Sequence, residues 1–184
     1  MNAEPYRTRR IFRSSLTSQD TIRELFQILC LAELLDPSEE MWLVSPWISD
    51  PVLLDNRGGG FDSVNPQWRR REIRLSDFAV QAMTNTTRVV VVTRPDVHNE
   101  TFIERLRERA SETGVRERLE VILAERLHVK GILTAAGLLS GSMNLTYSGL
   151  ELNDELVLFE TSPEAVAQAR LAFRHYRSGR SDER

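Results

Sequence analysis

The chain contains a single cysteine, Cys30, which excludes an intrachain disulfide; its place inside an apolar helical run predicts a buried thiol. Net charge is only −3, so no global basic field announces a polyanion partner, and any such site must be a local patch. No apolar run approaches the roughly 20 residues of a membrane span. The first residues, MNAEPYRTRRIFRSS, hold no apolar segment of secretory type. Both absences predict a cytoplasmic protein with no membrane partner. Gly58-Gly59-Gly60 is not followed by Gly-Lys-Ser/Thr, which sets nucleotide hydrolysis of the P-loop kind aside. No Ser or Cys lies in a nucleophile elbow. Neither His98 nor His175 has Cys, Asp or Glu beside it at metal-ligand spacing, so neither a catalytic metal nor a cofactor is expected. Lysine is scarcest of all. Lys130 is the only one, every other member of the 24 Lys+Arg being arginine.

What is present is ordinary in amount and specific in arrangement. At 184 residues, with 41% hydrophobic and 28% charged residues, the chain suits one soluble domain able to bury a core without staples. The division expected is a basic arm over 1–16, a single domain over 17–178 and a polar tail over 179–184. Thr17 or Ser18 can cap a helix running to about Leu35, where Asp36-Pro37 stops it. Met41 to Trp47 reads as a buried strand ended by Pro46. Ser76 starts a short helix, and Arg88 to Thr93 is a strand buried on both faces. Asn99 caps a helix ended by Gly114, Leu119 to Ala124 is a further strand, and a hairpin follows over 127–141. Asp154 to Phe159 is the last strand. Ser162-Pro163 then caps a helix to about Arg177, and His175 near its end can meet the helix dipole. Alternating strands and helices with one hairpin predict an α/β sandwich with a mixed, mostly parallel β-sheet flanked by helices.

Two stretches have two readings each. The arm interleaves Arg7, Arg9, Arg10 and Arg13 with Tyr6 and Phe12, which suits phosphates and stacked bases, or a segment that is solvated or packs against a partner subunit. Residues 49–72, with their glycines, Trp68 and the run Arg69, Arg70 and Arg71, suit a grip on a phosphate backbone, or a mobile loop.

The chain is organised around HVKGILTAAGLLSGSMNLTYSGLELNDE, residues 128–155. Two apolar runs flank Ala136-Gly137, a natural tight turn. Side chains alternate along a strand, so His128 and Lys130 share one face, and Ser142 and Asn144 follow the second run with the same spacing. A nucleophile, a cation and two neutral polar groups can therefore meet at one end of a hairpin. Glu155 can bring a carboxylate to the same place.

His128-x-Lys130, then Gly141-Ser142-x-Asn144 and Asn153-x-Glu155, resemble the HxK…GSxN signature of the phospholipase D superfamily, present here in one copy. The family's Asp, five residues after the lysine, is Ala135 here, and the turn before Gly141 is one residue shorter than is common. The resemblance implies a phospholipase D-like sandwich and metal-independent cleavage of a phosphodiester. His128 would attack phosphorus, Lys130 and Asn144 would hold the non-bridging oxygens, Ser142 would add a hydrogen bond, and Glu155 would orient the His128 ring. Ser45 and Trp47, in a Ser-Pro-aromatic step, would line the pocket, although Trp47 fits a core position equally well. Single-copy members supply the second histidine by forming a homodimer.

Short length and clustered arginines favour nucleic acid, DNA first, over lipid. The overall likeness is to phospholipase D-like proteins encoded with bacterial systems that place 7-deazaguanine bases in DNA and restrict unmodified DNA. That likeness implies other subunits of such a system as partners. The alternatives are a catalytically weak, nucleic-acid-binding or scaffold subunit, which Ala135 favours, and a lipid phosphodiesterase.

Overall fold

A computed structural model of the chain describes residues 7–14 and 20–178. The chain runs through β1 (Thr8–Arg13), α1 (Thr21–Leu35), β2 (Glu40–Val44), β3 (Val52–Asp55) and β4 (Glu72–Arg74). It continues with α2 (Leu75–Thr84), β5 (Arg88–Thr93), α3 (Val97–Glu112), β6 (Leu119–Leu123), β7 (Gly131–Leu133) and β8 (Leu138–Gly141). It ends with α4 (Tyr147–Glu151), β9 (Glu155–Glu160) and α5 (Pro163–Arg174). The expected caps Thr17 and Ser18, Tyr6 in the arm and the tail from 179 lie outside the described residues.

Val89 to Val92 explain the centre of the molecule. Branching at Cβ suits the pleat, and all four side chains are buried, which requires layers on both faces. Alternation along β2 sorts the layers in the same way. Met41 and Leu43 join the core under α1, α2 and α3, while Trp42 and Val44 join the core under α5 with Leu133, Leu138, Val166 and Phe173. Each such side chain, fully buried, stabilises the fold by roughly 1.5–3 kcal/mol.

The main sheet has the order β1-β9-β8-β7-β2-β5-β6. It is mixed, as expected. Its parallel pairings are confined to β2, β5 and β6, however, and β7, β8, β9 and β1 add antiparallel ones, so the parallel share is smaller than the strand-helix alternation suggests. The reason is the connections. β7 and β8 are joined by a tight turn, and only the earlier strands have crossover helices.

Three further expectations change. The arm is not free: β1 is an edge strand, pairing Thr8 with Glu160 through to Arg13 with Glu155. Residues 49–72 are not one long loop. β3 and β4 form a small sheet, Trp68 is buried, and the Asn56 amide donates to Asp62 Oδ1 at 2.8 Å and Arg69 O at 2.6 Å, tying the segment to itself. Finally, α3 begins at Val97 with Asp96 as its cap, whose carboxylate accepts from His98 N at 2.9 Å, and Asn99 is turned inward.

This topology decides where chemistry gathers. Parallel β2 and β5 end at the same edge of the sheet, and antiparallel β7 begins there, with Val44 opposite Gly131. β8 returns to that edge and β9 leaves from it, Gly141 lying opposite Val157. The segments after β2 and β5, before β7, after β8 and before β9 therefore converge.

Candidate active site

His128 and Lys130 enter this edge just before β7. The imidazole is exposed, and the lysine is half-buried with Nζ donating to the His128 carbonyl at 3.1 Å. Gly141 N donates to Lys130 O at 3.4 Å, bringing the following Ser142 beside the pair. Gly141 can only be glycine: φ is +152°, and a Cβ there would overlap the Leu156 carbonyl. Gly149 is constrained by approach instead, since its Cβ would overlap the Asn144 carbonyl. Both glycines let the Ser142–Asn144 segment lie flat on its neighbours.

Ser142 Oγ donates to Glu155 Oε2 and accepts from Leu156 N at 3.0 Å. Glu155 is buried and engaged by this hydroxyl, and no hydrogen bond runs from it to His128, contrary to the ring-orienting role expected. Ser45 also changes role. It is fully buried, so it does not line a pocket. Its hydroxyl donates to Trp47 O at 2.6 Å and accepts from Leu145 N at 3.1 Å, with Asn144 Oδ1 at a long 3.4 Å. It bolts the end of β2 to the segment carrying Asn144. Trp47 is 39% exposed and does line the edge.

Arg69, Arg70 and Arg71 are not part of this assembly. They belong to the β3–β4 side, where Arg71 pairs with Asp77 at 2.8 Å and Arg69 adopts φ 52°. Burial pushes the Asp77 carboxyl up, but Arg71, the Arg74 N–H and Arg109 outweigh it and hold it below the usual aspartate range. Arg13, expected to touch phosphates, is buried. Its guanidinium donates to Gly149 O and Asn153 O at 2.9 Å each and also to Leu150 O, closing the end of α4 ahead of Glu155.

Sequence patterns missed three residues. Arg94 follows β5, with Nε on Leu127 O at 2.8 Å, Nη2 at 3.3 and 3.2 Å from the two His128 ring nitrogens, and Cζ 5.3 Å from the Trp47 ring centroid. Asn99, fully buried, accepts from Ile48 N at 2.8 Å and donates to Pro46 O at 3.0 Å and Arg94 O at 2.9 Å, holding both strand ends together. Asp96 accepts from Trp47 Nε1 at 3.4 Å; the His98 N–H first, then this indole, hold its carboxyl below the usual range. One signal was available: a charged residue just past the carboxyl end of a strand buried on both faces marks the place where open α/β sheets bind ligands.

Beside the edge lies a groove of about 490 Å³ lined by Asp50, Pro51, His98, Phe102, Arg105 and Tyr147. Asp50 is held by Arg105 at 2.8 Å and by Ser76. Among the described residues no group of three or more His, Cys, Asp or Glu is arranged to hold a metal ion, and no helix is long and apolar enough to cross a membrane.

Comparison with solved structures finds the same fold at low identity. TrmBL2, an archaeal chromatin protein described as showing a novel mode of DNA binding, aligns at TM-score 0.54 and 14% identity, over 97% of this chain and 55% of its own. Nuc from Salmonella typhimurium, a phospholipase D family member, aligns at 0.55 and 13%, over 93% of this chain and 91% of its own. NucT from Helicobacter pylori aligns at 0.52 and 10%, over 93% and 96%. This chain thus spans about half of TrmBL2 and nearly the whole of Nuc and NucT. Comparison with curated proteins finds no match. Residues 65–177, more than half of the chain and all of the hairpin, match the family model described as cardiolipin synthase, PLD-like domain. The chain therefore belongs to the phospholipase D-like family.

Proposed function

We propose that the protein is a metal-independent phosphodiesterase that cleaves DNA through a phosphohistidine intermediate, at a site shared by two copies of the chain. The observation that carries this reading is the meeting of His128, Lys130, Ser142 and Asn144 at one sheet edge, with the imidazole open to solvent. An imidazole nitrogen of His128 attacks phosphorus, forming the P–N bond as the P–O bond to the leaving alkoxide breaks. The His128 of the second copy gives that alkoxide its proton. It then takes one from water, whose oxygen displaces the first histidine and leaves a phosphomonoester. Lys130 and Asn144 stabilise charge on the non-bridging oxygens.

Two histidines are needed, and the other two of this chain lie elsewhere, His98 in the first turn of α3 and His175 at the end of α5. An isologous dimer supplies the second. DNA is favoured by the DNA binding described for TrmBL2 and by Arg94, the arginine that lies against His128. The likeness to proteins of 7-deazaguanine modification and restriction systems makes unmodified DNA the substrate to try first.

The test is incubation with plasmid and single-stranded DNA in EDTA. Cleavage that His128→Ala lowers by on the order of 10⁴-fold supports the reading. Turnover by a strict monomer overturns the shared site. Salt-sensitive binding without cleavage supports a second reading, a DNA-binding subunit, which the engagement of Glu155 by Ser142 rather than His128 favours.

A further inference from the structure

Arg94 stands outside the family motif, yet its guanidinium lies against the His128 ring. Its Nη2 is almost equally far, 3.3 and 3.2 Å, from both ring nitrogens, so it lies over the face of the imidazole rather than along either lone pair. The in-plane approach to phosphorus therefore stays open. Trp47 supports the guanidinium, Leu127 O fixes Nε, and Asn99 fixes the Arg94 backbone. Several other arginines are held by carboxylates at contact: Arg71 and Arg109 share Asp77, Arg105 meets Asp50, and Arg174 and Arg177 share Glu40. Among the described residues Arg94 makes no ion pair, although it is only half-exposed. Lys130, the cation the motif supplies, is meanwhile turned to the His128 carbonyl.

We propose that Arg94 is the phosphate clamp of this site, its planar fork taking two non-bridging oxygens of the scissile phosphodiester while His128 attacks beneath it. The geometry of the fork matches two phosphate oxygens, which a point charge does not, and a clamp held rigidly before the reaction stabilises charge as it develops. The inference rests on the phosphodiesterase reading and deepens it.

The experiment compares wild type, Arg94→Ala and Arg94→Lys with bis(p-nitrophenyl) phosphate in EDTA, and follows inorganic phosphate binding by tryptophan fluorescence. Trp47 is 39% exposed and touches Arg94, whereas Trp42 and Trp68 are buried, so the signal reports this place. Expected are a loss in kcat/KM of about 100-fold for Arg94→Ala and only slight recovery in Arg94→Lys. Phosphate binding should weaken at least about tenfold in Arg94→Ala with Tm unchanged. Arg94→Ala within threefold of wild type in both assays overturns the clamp, and full recovery by lysine overturns the fork. If wild type hydrolyses neither this ester nor DNA, the phosphodiesterase reading fails. Phosphate binding then still decides Arg94: a weakened Arg94→Ala supports the clamp, and an unchanged one overturns it.

Discussion

The two ends of the β7–β8 hairpin differ in kind. At the open end, polar side chains reach solvent or one another: His128, Lys130 and Ser142 have no apolar neighbour covering them completely. At the turn end the polar groups are tied off. Ala135 N donates to Ser38 Oγ at 2.6 Å, Ser38 Oγ donates to the buried Glu33 at 2.5 Å, and Thr87 Oγ1 closes the network on Glu33 at 2.6 Å. The position where the family carries its Asp falls at this second end. From Lys130 it is up to roughly 17 Å away, at about 3.3 Å per strand residue. A side chain there anchors the turn and cannot reach a phosphate at the open end. In this chain the Glu33–Ser38 pair anchors the turn, with Ala135 standing in the Asp position.

The sharpest way to break this contrast is Gly141→Ala, at the open end. The new methyl must displace the Leu156 carbonyl, so the expected cost is at least about 3 kcal/mol with loss of DNA cleavage, read by urea denaturation and a nuclease assay. Asn99→Ala strips partners from Ile48 N, Pro46 O and Arg94 O. It should cost about 2 kcal/mol and, by loosening Trp47 and Arg94, lower the cleavage rate roughly tenfold.

Asp77→Asn, away from both ends, weakens the cap of α2 and its arginine pairs, for about 1 kcal/mol at pH 7 with cleavage retained. Because the folded carboxyl is held below its usual value, that contribution is complete above the unfolded pKa and disappears as pH falls through the folded one. The gap between wild type and Asp77→Asn in urea midpoint should therefore close as pH falls below the ordinary aspartate value. The smallest effect is expected of Ala135→Asp: under about 0.5 kcal/mol in stability, with kcat within twofold of wild type. A large gain in rate would show that the turn end does act on the chemistry.

Much of this architecture is readable along the chain because its signals are local. Val89 to Val92 announce a doubly covered strand, Ser162-Pro163 a helix start and Gly137 a turn, each through backbone preferences that need no distant partner. β1 was not readable. Phe12 points outward and Arg13 inward, which hides the alternation, and only pairing with β9, more than a hundred residues on, makes it a strand. The segment 49–72 failed for a related reason, since Asn56 closes it through contacts that no periodicity reports.

The order of residues by itself placed His128, Lys130, Ser142 and Asn144 near one end of a hairpin, because a tight turn brings together the segments that flank its two strands. Only the tertiary structure decided their surroundings: that Glu155 is taken by Ser142, that Ser45 is a buried bolt, and that Arg94 lies over the imidazole. Those contacts exist because parallel β2 and β5 end at the edge where β7 begins. Which edges coincide is set by how the two cores pack around the sheet, a property of the folded whole.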